Sequence, residues 1–174
     1  MHRELTTSRL LLRAPTPADD AEVYAIHSDP AANQHNPAGP ATVEHAADML
    51  RSWLADWRRD GLGYWMVRDR DTSDVIGVGG VRFTGDHEDG RRVLNLYYRF
   101  APHAWGRGLA TELCAAAIGV ARTYESPLVV VAIVHPSNTA SAAVARRAGL
   151  SHDGLVPYHG GARMRFVLPI EAIR

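Results

Sequence analysis

The segment Gly106-Arg107-Gly108 stands directly before a strongly helical run that begins Leu109-Ala110-Thr111. In such a turn, backbone N–H groups converge at the start of a helix, where the helix dipole also favours negative charge. Glycine frees the backbone to turn and leaves space for an anion to approach it. The spacing therefore predicts a cradle for a diphosphate at this turn, although the glycines could instead serve only the backbone freedom of the turn.

Other residues that could carry chemistry give weaker patterns. Asn138 is placed as the N-cap of a second helix, where its side chain would satisfy free N–H groups. Cys114 lies in an apolar helical stretch and is predicted to pack, because no His and acid pair stands near it to activate a nucleophile. The nine histidines include no His-x-x-x-His pair or Cys/His cluster, so no metal site is predicted.

The elements around the glycine turn follow from hydrophobic spacing. Residues 93–100 alternate apolar and polar side chains, which predicts a half-buried strand. Apolar residues recur at helical spacing from Leu109 to Tyr124, and the all-apolar run from Leu128 to Val134 predicts a central strand covered on both faces. A helix within 136–150 follows and ends at Gly149, a C-terminal cap.

The rest of the chain supplies further alternating strands and helices. Helices are predicted over 18–28 and, after an N-cap at Thr42, over 43–59; a loop is predicted over 33–40. Strands are predicted over 9–13, 64–68, 75–83, 151–157 and 164–169, with the charged segment 85–91 as a hairpin connection. The expected fold class is α+β, a mixed α/β arrangement of a mainly antiparallel sheet with helices on its faces.

Composition limits the partners. The 19 basic and 19 acidic residues cancel, which argues against nucleic acid or an anionic membrane as the main partner. A single cysteine excludes an internal disulfide, and no apolar run is long enough to cross a bilayer. With no secretory segment at the start, a cytoplasmic location is expected. The chain contains no repeat, low-complexity tract or linker, which predicts one domain over 1–174.

Together these motifs resemble a known family. A strand, Trp-Gly-Arg-Gly-Leu-Ala (105–110), a helix, a strand, Asn-x-x-Ser (138–141) and Ala-Gly-Leu (148–150) resemble the acetyl-CoA-binding half of the GNAT superfamily of N-acetyltransferases. Residues 5–13, followed by Pro-Ala-Asp-Asp at 17–20, resemble the branch that contains the ribosomal-protein N-terminal acetyltransferases. The resemblance implies a seven-stranded, mainly antiparallel sheet flanked by about four helices, and acetyl transfer from acetyl-CoA to a primary amine by direct attack.

The resemblance also implies residue roles. The pantetheine arm would pair with backbone groups of Tyr98, Arg99 and Phe100 like an added strand, and Asn138 would support it. Ser141 either donates a hydrogen bond to the departing sulfur or is an ordinary first-turn serine. The pyrophosphate would bind the N–H groups of the glycine turn: Gly106, Arg107, Gly108, Leu109, Ala110 and Thr111.

One departure concerns the general base. Many members of the branch carry a glutamate where this chain has Asn95, and an amide cannot accept a proton at neutral pH. Either the amine arrives neutral or another group acts: His135, which could instead simply hydrogen-bond a strand end, or the acidic residues between 86 and 89. Tyr97 is expected to line the site beside Asn95.

The acceptor stays open at this level. By resemblance, its pocket would come from residues 31–40, Trp53 and Trp57, and the region of Tyr158 and His159, although such aromatics could equally belong to the core. A protein N-terminus or a small-molecule amine are both possible acceptors, a larger acyl group is possible, and the protein could be a monomer or homodimer. A competing interpretation is a catalytically weak or silent acyl-CoA-binding module, supported by Asn95.

Overall fold

The computed structural model describes residues 2–158 and 161–172. In that part of the chain the helices are α1 (Asp20–Ser28), α2 (Val43–Asp60), α3 (Leu109–Ala121) and α4 (Thr139–Arg147). The strands are β1 (Glu4–Thr6), β2 (Leu10–Arg13), β3 (Tyr64–Asp69), β4 (Val75–Glu88), β5 (Arg91–Phe100), β6 (Leu128–Val134), β7 (Ser151–Tyr158) and β8 (Gly161–Ile170). The mixed α/β class is confirmed.

All these strands form one sheet in the order β1-β2-β3-β4-β5-β6-β8-β7. β5 and β6 are parallel, whereas their neighbours on either side are antiparallel. The β5–β6 pairing runs from Arg92 opposite Leu128 to Asn95 opposite Val131 and does not continue in the described structure. Beyond that point the two strands diverge, and the facing edges of residues 96–100 and 132–134 are open.

The helices cover the two faces of the sheet. α3 and α4 pack with Leu94, Leu96 and Phe100 of β5 in the larger core. α1 and α2 pack on the opposite face, against Tyr64 and Tyr97. Because side chains alternate along a strand, the divergence of β5 and β6 opens a passage between the two faces.

Two predicted boundaries differ from the structure. The resemblance implied seven strands, but the described residues form eight, because Glu4–Thr6 pairs with residues 11–13 as an edge strand of three residues, which is too short to give a clear alternation. The charged segment 85–91, predicted as a connection, is mostly strand: His87 pairs with Arg92, and the turn is confined to Asp89 and Gly90, both with positive φ. Charged side chains on a solvent-exposed hairpin conceal the backbone ladder from a hydrophobicity pattern.

The position of α3 depends on a glycine in β4. A Cβ at Gly79 would lie 2.6 Å from the carbonyl oxygen of Tyr97 and 2.7 Å from Cδ2 of Leu113. Glycine therefore allows the buried side of α3 to approach the sheet closely. This contact fixes the start of α3 next to the open edge of β5.

Candidate active site

A cleft of about 740 Å³ occupies the gap between the diverging ends of β5 and β6. Its walls come from residues 95–100 and 132–135 of the two strand ends, the first turns of α3 and α4, and the loop before α2. It therefore reaches both faces of the sheet, and a strand-like group lying between β5 and β6 could pair with the open backbone edge of β5.

The glycine turn borders this cleft at the start of α3. Gly106 and Gly108 have φ angles of 72° and 74°, a left-handed conformation that favours glycine. A Cβ at Gly106 would meet nothing within 4 Å. In the described structure, the buried Oγ1 of Thr111 lines the cleft without a hydrogen-bond partner. Open space, free N–H groups and an unpartnered hydroxyl at a helix start fit a diphosphate.

Residues of the connection between β1 and β2 hold this turn in place. The guanidinium of Arg9 binds Glu112 in α3, with Nε 2.7 Å from Oε2, and donates to the carbonyl oxygen of Arg107 at 2.5 Å. Thr7 donates to the same carboxylate at 2.6 Å. The side chain of Arg107 pairs with Asp69 at 2.9 Å and, unlike the other residues predicted to bind the cofactor, does not line the cleft.

Ser141 lies at the other wall of the cleft, in the first turn of α4. Its backbone N–H donates to Oδ1 of Asn138 at 2.9 Å, which confirms Asn138 as the N-cap. The phenol of Tyr98 donates to Oγ of Ser141 at 3.0 Å. Burial raises the pKa of Tyr98 to about 12, so the phenol keeps its proton at neutral pH. Tyr98 therefore leaves the Ser141 hydroxyl hydrogen free for another acceptor.

Asn95 is fixed by a second tyrosine. Its Nδ2 donates to the phenol oxygen of buried Tyr64 at 2.5 Å. The guanidinium of Arg82 lies over the Tyr64 ring, 5.6 Å from its centroid, and pairs with Asp56 at 3.2 Å. This network holds the Asn95 amide at the cleft wall, where it can orient a polar group but cannot take its proton.

Tyr97 lines the cleft as expected, and behind it lies a residue that the sequence did not single out. The Tyr97 phenol lies 3.0 Å from Nε2 of His27, whose Nδ1 is 2.8 Å from the carbonyl oxygen of Val23. His27 is 1% exposed. Burial, assisted by the nearby positive charges of Arg99 and His45, lowers its pKa to about 4, so it is neutral at pH 7.

His135 borders the cleft at the end of β6, but its ring is engaged by the next loop. The backbone N–H of Ser137 donates to Nδ1 of His135 at 3.2 Å, and the Ser137 hydroxyl lies 2.8 Å from the same nitrogen. The ring also stacks on His35, with centroids 5.8 Å apart. A neutral imidazole that accepts a hydrogen bond at Nδ1 carries its own proton on Nε2. To act as a base, His135 would have to take up a second proton at Nδ1, which is the nitrogen that Ser137 contacts.

Several expected pocket residues lie elsewhere. Trp53 and Trp57 are 4% and 2% exposed and belong to the core rather than the cleft wall, whereas residues 31–37 and Tyr158 line it. Asp86, Glu88 and Asp89 do not line the cleft, and Glu88 pairs with Arg165. His159 lies outside the described residues.

Cys114 lies at the cleft wall with its side chain packed into the core. Burial raises the pKa of its thiol to about 12, so the reactive thiolate is suppressed. Among the described residues, no three His, Cys, Asp or Glu side chains are gathered as a metal site would require. In the same part of the chain, no helix combines the length and hydrophobicity needed to cross a membrane.

The fold and the cleft are typical of transferases that use an acyl-CoA. Comparison with known proteins identifies the family. The model of the acetyltransferase (GNAT) domain matches residues 9–151. The chain therefore belongs to the GNAT acetyltransferase family, as the motifs predicted.

Individual relatives agree with this assignment. The chain is 25% identical over 153 residues to the uncharacterised N-acetyltransferase YoaA of Bacillus subtilis (strain 168), covering 87% of this chain and 85% of YoaA. Its fold is similar to that of an acetyltransferase from Agrobacterium tumefaciens str. C58, with a TM-score of 0.76, 26% identity and coverage of 95% and 93% of the two chains. It is also similar to RimL, a ribosomal L7/L12 α-N-protein acetyltransferase in complex with coenzyme A, with a TM-score of 0.76, 18% identity and coverage of 97% and 98%.

Proposed function

We propose that this GNAT protein transfers an acetyl group from acetyl-CoA to a primary amine by direct attack, without a covalent enzyme intermediate. The observation that carries the proposal is the open edge of β5 over residues 96–100, which continues into the glycine turn at the start of α3. A pantetheine-like arm and a diphosphate need these two features side by side. The solved complex of RimL with coenzyme A supports the choice of cofactor.

The cofactor side of the cleft provides recognition. Backbone groups of Tyr98, Arg99 and Phe100 pair with the arm, and the N–H groups of residues 106–111 bind the phosphates. Thr111 adds its unpartnered hydroxyl. Arg107 contributes through its backbone alone, because its side chain is held by Asp69.

When bound, acetyl-CoA supplies an activated thioester next to Ser141 and Asn138. The Ser141 hydroxyl donates to the sulfur as negative charge develops on it, and Tyr98 orients that hydroxyl by donating to Oγ. Tyr98 is thus a positioning residue, and Ser141 is the group proposed to contact the leaving sulfur.

On the acceptor side, we propose that the amine arrives neutral. No aspartate or glutamate lines the described cleft, and Arg99 and Arg163 contribute positive charge there. Such an environment disfavours an ammonium ion and lowers the pKa of a bound amine. Asn95 and Tyr97 orient the amine, and His135 serves a structural role through Ser137. A protein N-terminus and a small-molecule amine both satisfy these requirements.

Binding of acetyl-CoA gives the first test. Ligand at a hundred times its dissociation constant stabilises the fold by about 2.7 kcal/mol, which for this chain length corresponds to roughly 5–10 °C in melting temperature. We expect this shift with acetyl-CoA and CoA. A shift with NAD or ATP and none with acetyl-CoA would overturn the cofactor assignment.

Turnover gives the second test. Thiol release from acetyl-CoA in the presence of a library of primary amines should reveal acetylation whose rate rises with pH as the uncharged amine increases, and His135→Ala should keep this profile. Loss of the rise in His135→Ala would make His135 the base. Binding without turnover of any amine would instead favour the silent acyl-CoA-binding module.

The oligomeric state, the single domain and the cytoplasmic location stay predictions.

A further inference from the structure

Arg163, in β8, is buried at the cleft, and the described residues provide no counter-ion for it. It is 5% exposed and lines the cleft. In the described structure its guanidinium makes one hydrogen bond, to the carbonyl oxygen of Ala162 at 3.0 Å, and lies 5.5 Å from the centroid of the Tyr158 ring. No carboxylate among the described residues pairs with it, and the two undescribed residues of its hairpin are His and Gly.

A buried arginine needs an anion more than a buried lysine does. Removing a cation from water is unfavourable unless it is paired, and arginine cannot relieve this cost by losing its proton. The guanidinium has five donors arranged to bind a planar carboxylate through two of them. Arg163 lines the cleft in which the acceptor would lie.

The neighbouring Arg165 shows what a compensated arginine looks like in the same strand. It lies two residues away on the same face and pairs with both Glu88 and Asp153. The described residues thus supply carboxylates to Arg165 outside the cleft and none to the more buried Arg163 within it. Of these two arginines, only the one that lines the cleft lacks a partner carboxylate among the described residues.

The strand register places Arg163 on the acceptor side. Val134 of β6 is paired with Met164, so Arg163 lies next to the end of β6 and on the face that carries Ile133. Asn95 and Arg99 lie on the same face of β5, and the Arg99 guanidinium is held by the neutral amide of Asn33. This face is opposite that of Ser141 and Tyr98, where the leaving thiol is proposed to lie.

We propose that the acceptor is a small amine that carries a carboxylate, as a free amino acid does, and that Arg163 binds this carboxylate while Arg99 reinforces it. This inference rests on the proposed acetyl transfer to an amine. It makes polycationic acceptors poor substrates, because three arginines and no acidic residue line the described part of the cleft. It also identifies Arg163 as a specificity-determining residue.

The test uses matched pairs of acceptors: each proteinogenic L-amino acid and its carboxamide. The carboxamide has the less basic α-amine and is intrinsically more reactive near neutral pH, so a preference for the acid must come from the protein. We expect kcat/KM to favour at least one acid over its amide by about 10- to 100-fold, and Arg163→Gln to bring this ratio to within about threefold of unity. Arg163→Lys should give an intermediate ratio, since it keeps the charge and loses the planar fork.

Arg165→Gln is the matched control, because it removes the same charge from the same strand where that charge is already compensated. It should keep the wild-type ratio even if it lowers stability, since a ratio is insensitive to the folded fraction. Three results would each overturn the proposal. The wild type could use the amides as well as or better than the acids, or it could prefer spermidine or peptides that carry no acidic group. The third is an unchanged ratio of acid to amide kcat/KM in Arg163→Gln.

Failure of the catalytic proposal is distinguishable from failure of this one. If no acceptor is acetylated, calorimetric titration of the CoA-loaded protein with the same pairs still measures recognition. Binding of an acid but not its amide, lost in Arg163→Gln, would support the carboxylate site without catalysis. Equal binding of the acids and their amides would contradict the proposed carboxylate site.

Discussion

The pair of hydroxyls formed by Tyr98 and Ser141 has a defined direction at the residue scale. Tyr98 donates and Ser141 accepts at 3.0 Å, so the hydrogen on Ser141 is available to the cleft. A phenol whose pKa is about 12 keeps its proton, and so its capacity to donate, over the whole neutral range.

We therefore expect Ser141→Ala to lower kcat by about 100-fold or more while changing acetyl-CoA affinity little, because the lost hydrogen bond strengthens as charge develops on sulfur. Tyr98→Phe should lower kcat by about 10-fold, since Ser141 remains but loses its orientation. Steady-state kinetics with calorimetry measure both, and Tyr24→Phe, at an exposed position on α1, is the control. A full rate in Ser141→Ala would show that the leaving thiol is served elsewhere.

At the scale of elements, the start of α3 combines a left-handed glycine turn with an extensive brace. Arg9 and Thr7 hold Glu112, and the Arg107 carbonyl is held by Arg9. Burial alone would raise the pKa of Glu112, but hydrogen bonds from Thr7 and Arg9 outweigh it and lower the pKa below its usual value. The turn is thus presented in a fixed geometry before any ligand binds.

Gly108→Val is predicted to abolish acetyl-CoA binding in a protein that still folds. The φ angle of 74° is unfavourable for a β-branched residue, so the turn must change shape, and the valine methyl groups would crowd the proposed phosphate position. Gly119→Ala in the same helix is the matched control: it is exposed with open space around it and should stabilise the fold by about 0.5–1 kcal/mol. If the calorimetric titration of Gly108→Val with acetyl-CoA is indistinguishable from that of the wild type, the phosphates bind elsewhere.

For the whole molecule, His27 couples stability to pH. Its folded pKa of about 4 lies below the ordinary value of 6.5, so the unfolded chain binds more protons in this interval and stability falls as the pH is lowered from 6.5 towards 4. The carboxylates of Asp19 and Glu112, whose pKa values are lowered on folding, act at more acidic pH, below their ordinary values of 3.8 and 4.5.

We expect the wild type to lose about 2 kcal/mol, or roughly 4–8 °C in melting temperature, between pH 7 and pH 5 from this histidine. His27→Gln should be less stable at pH 7 but show a shallower loss over the same interval. The exposed His103→Gln should keep the wild-type slope. Thermal melts at several pH values check this, and equal slopes in all three proteins would contradict a buried neutral His27.

Much of the site could be predicted because its signals are local. The glycine turn, the Asn138 cap and the β5 alternation each depend on residues within a few positions, where backbone conformation and hydrogen bonding follow directly from side-chain type. The edge strand β1 escaped prediction because it has only three residues. The strand character of 85–91 escaped prediction because its pairing involves mostly exposed, charged residues with no hydrophobic signature.

By itself, the sequence determined the family, the order of most elements and the position of the glycine turn, whose binding of a diphosphate stays a prediction. Only the tertiary structure decided which charges are compensated. Arg163 and Arg165 are of one type and two positions apart, yet Glu88 and Asp153 reach only the second among the described residues. Likewise, His27 meets Tyr97, and Arg9 meets Glu112, across long sequence separations. Electrostatic energy depends on distance and burial in three dimensions, and neither quantity is written in local sequence spacing.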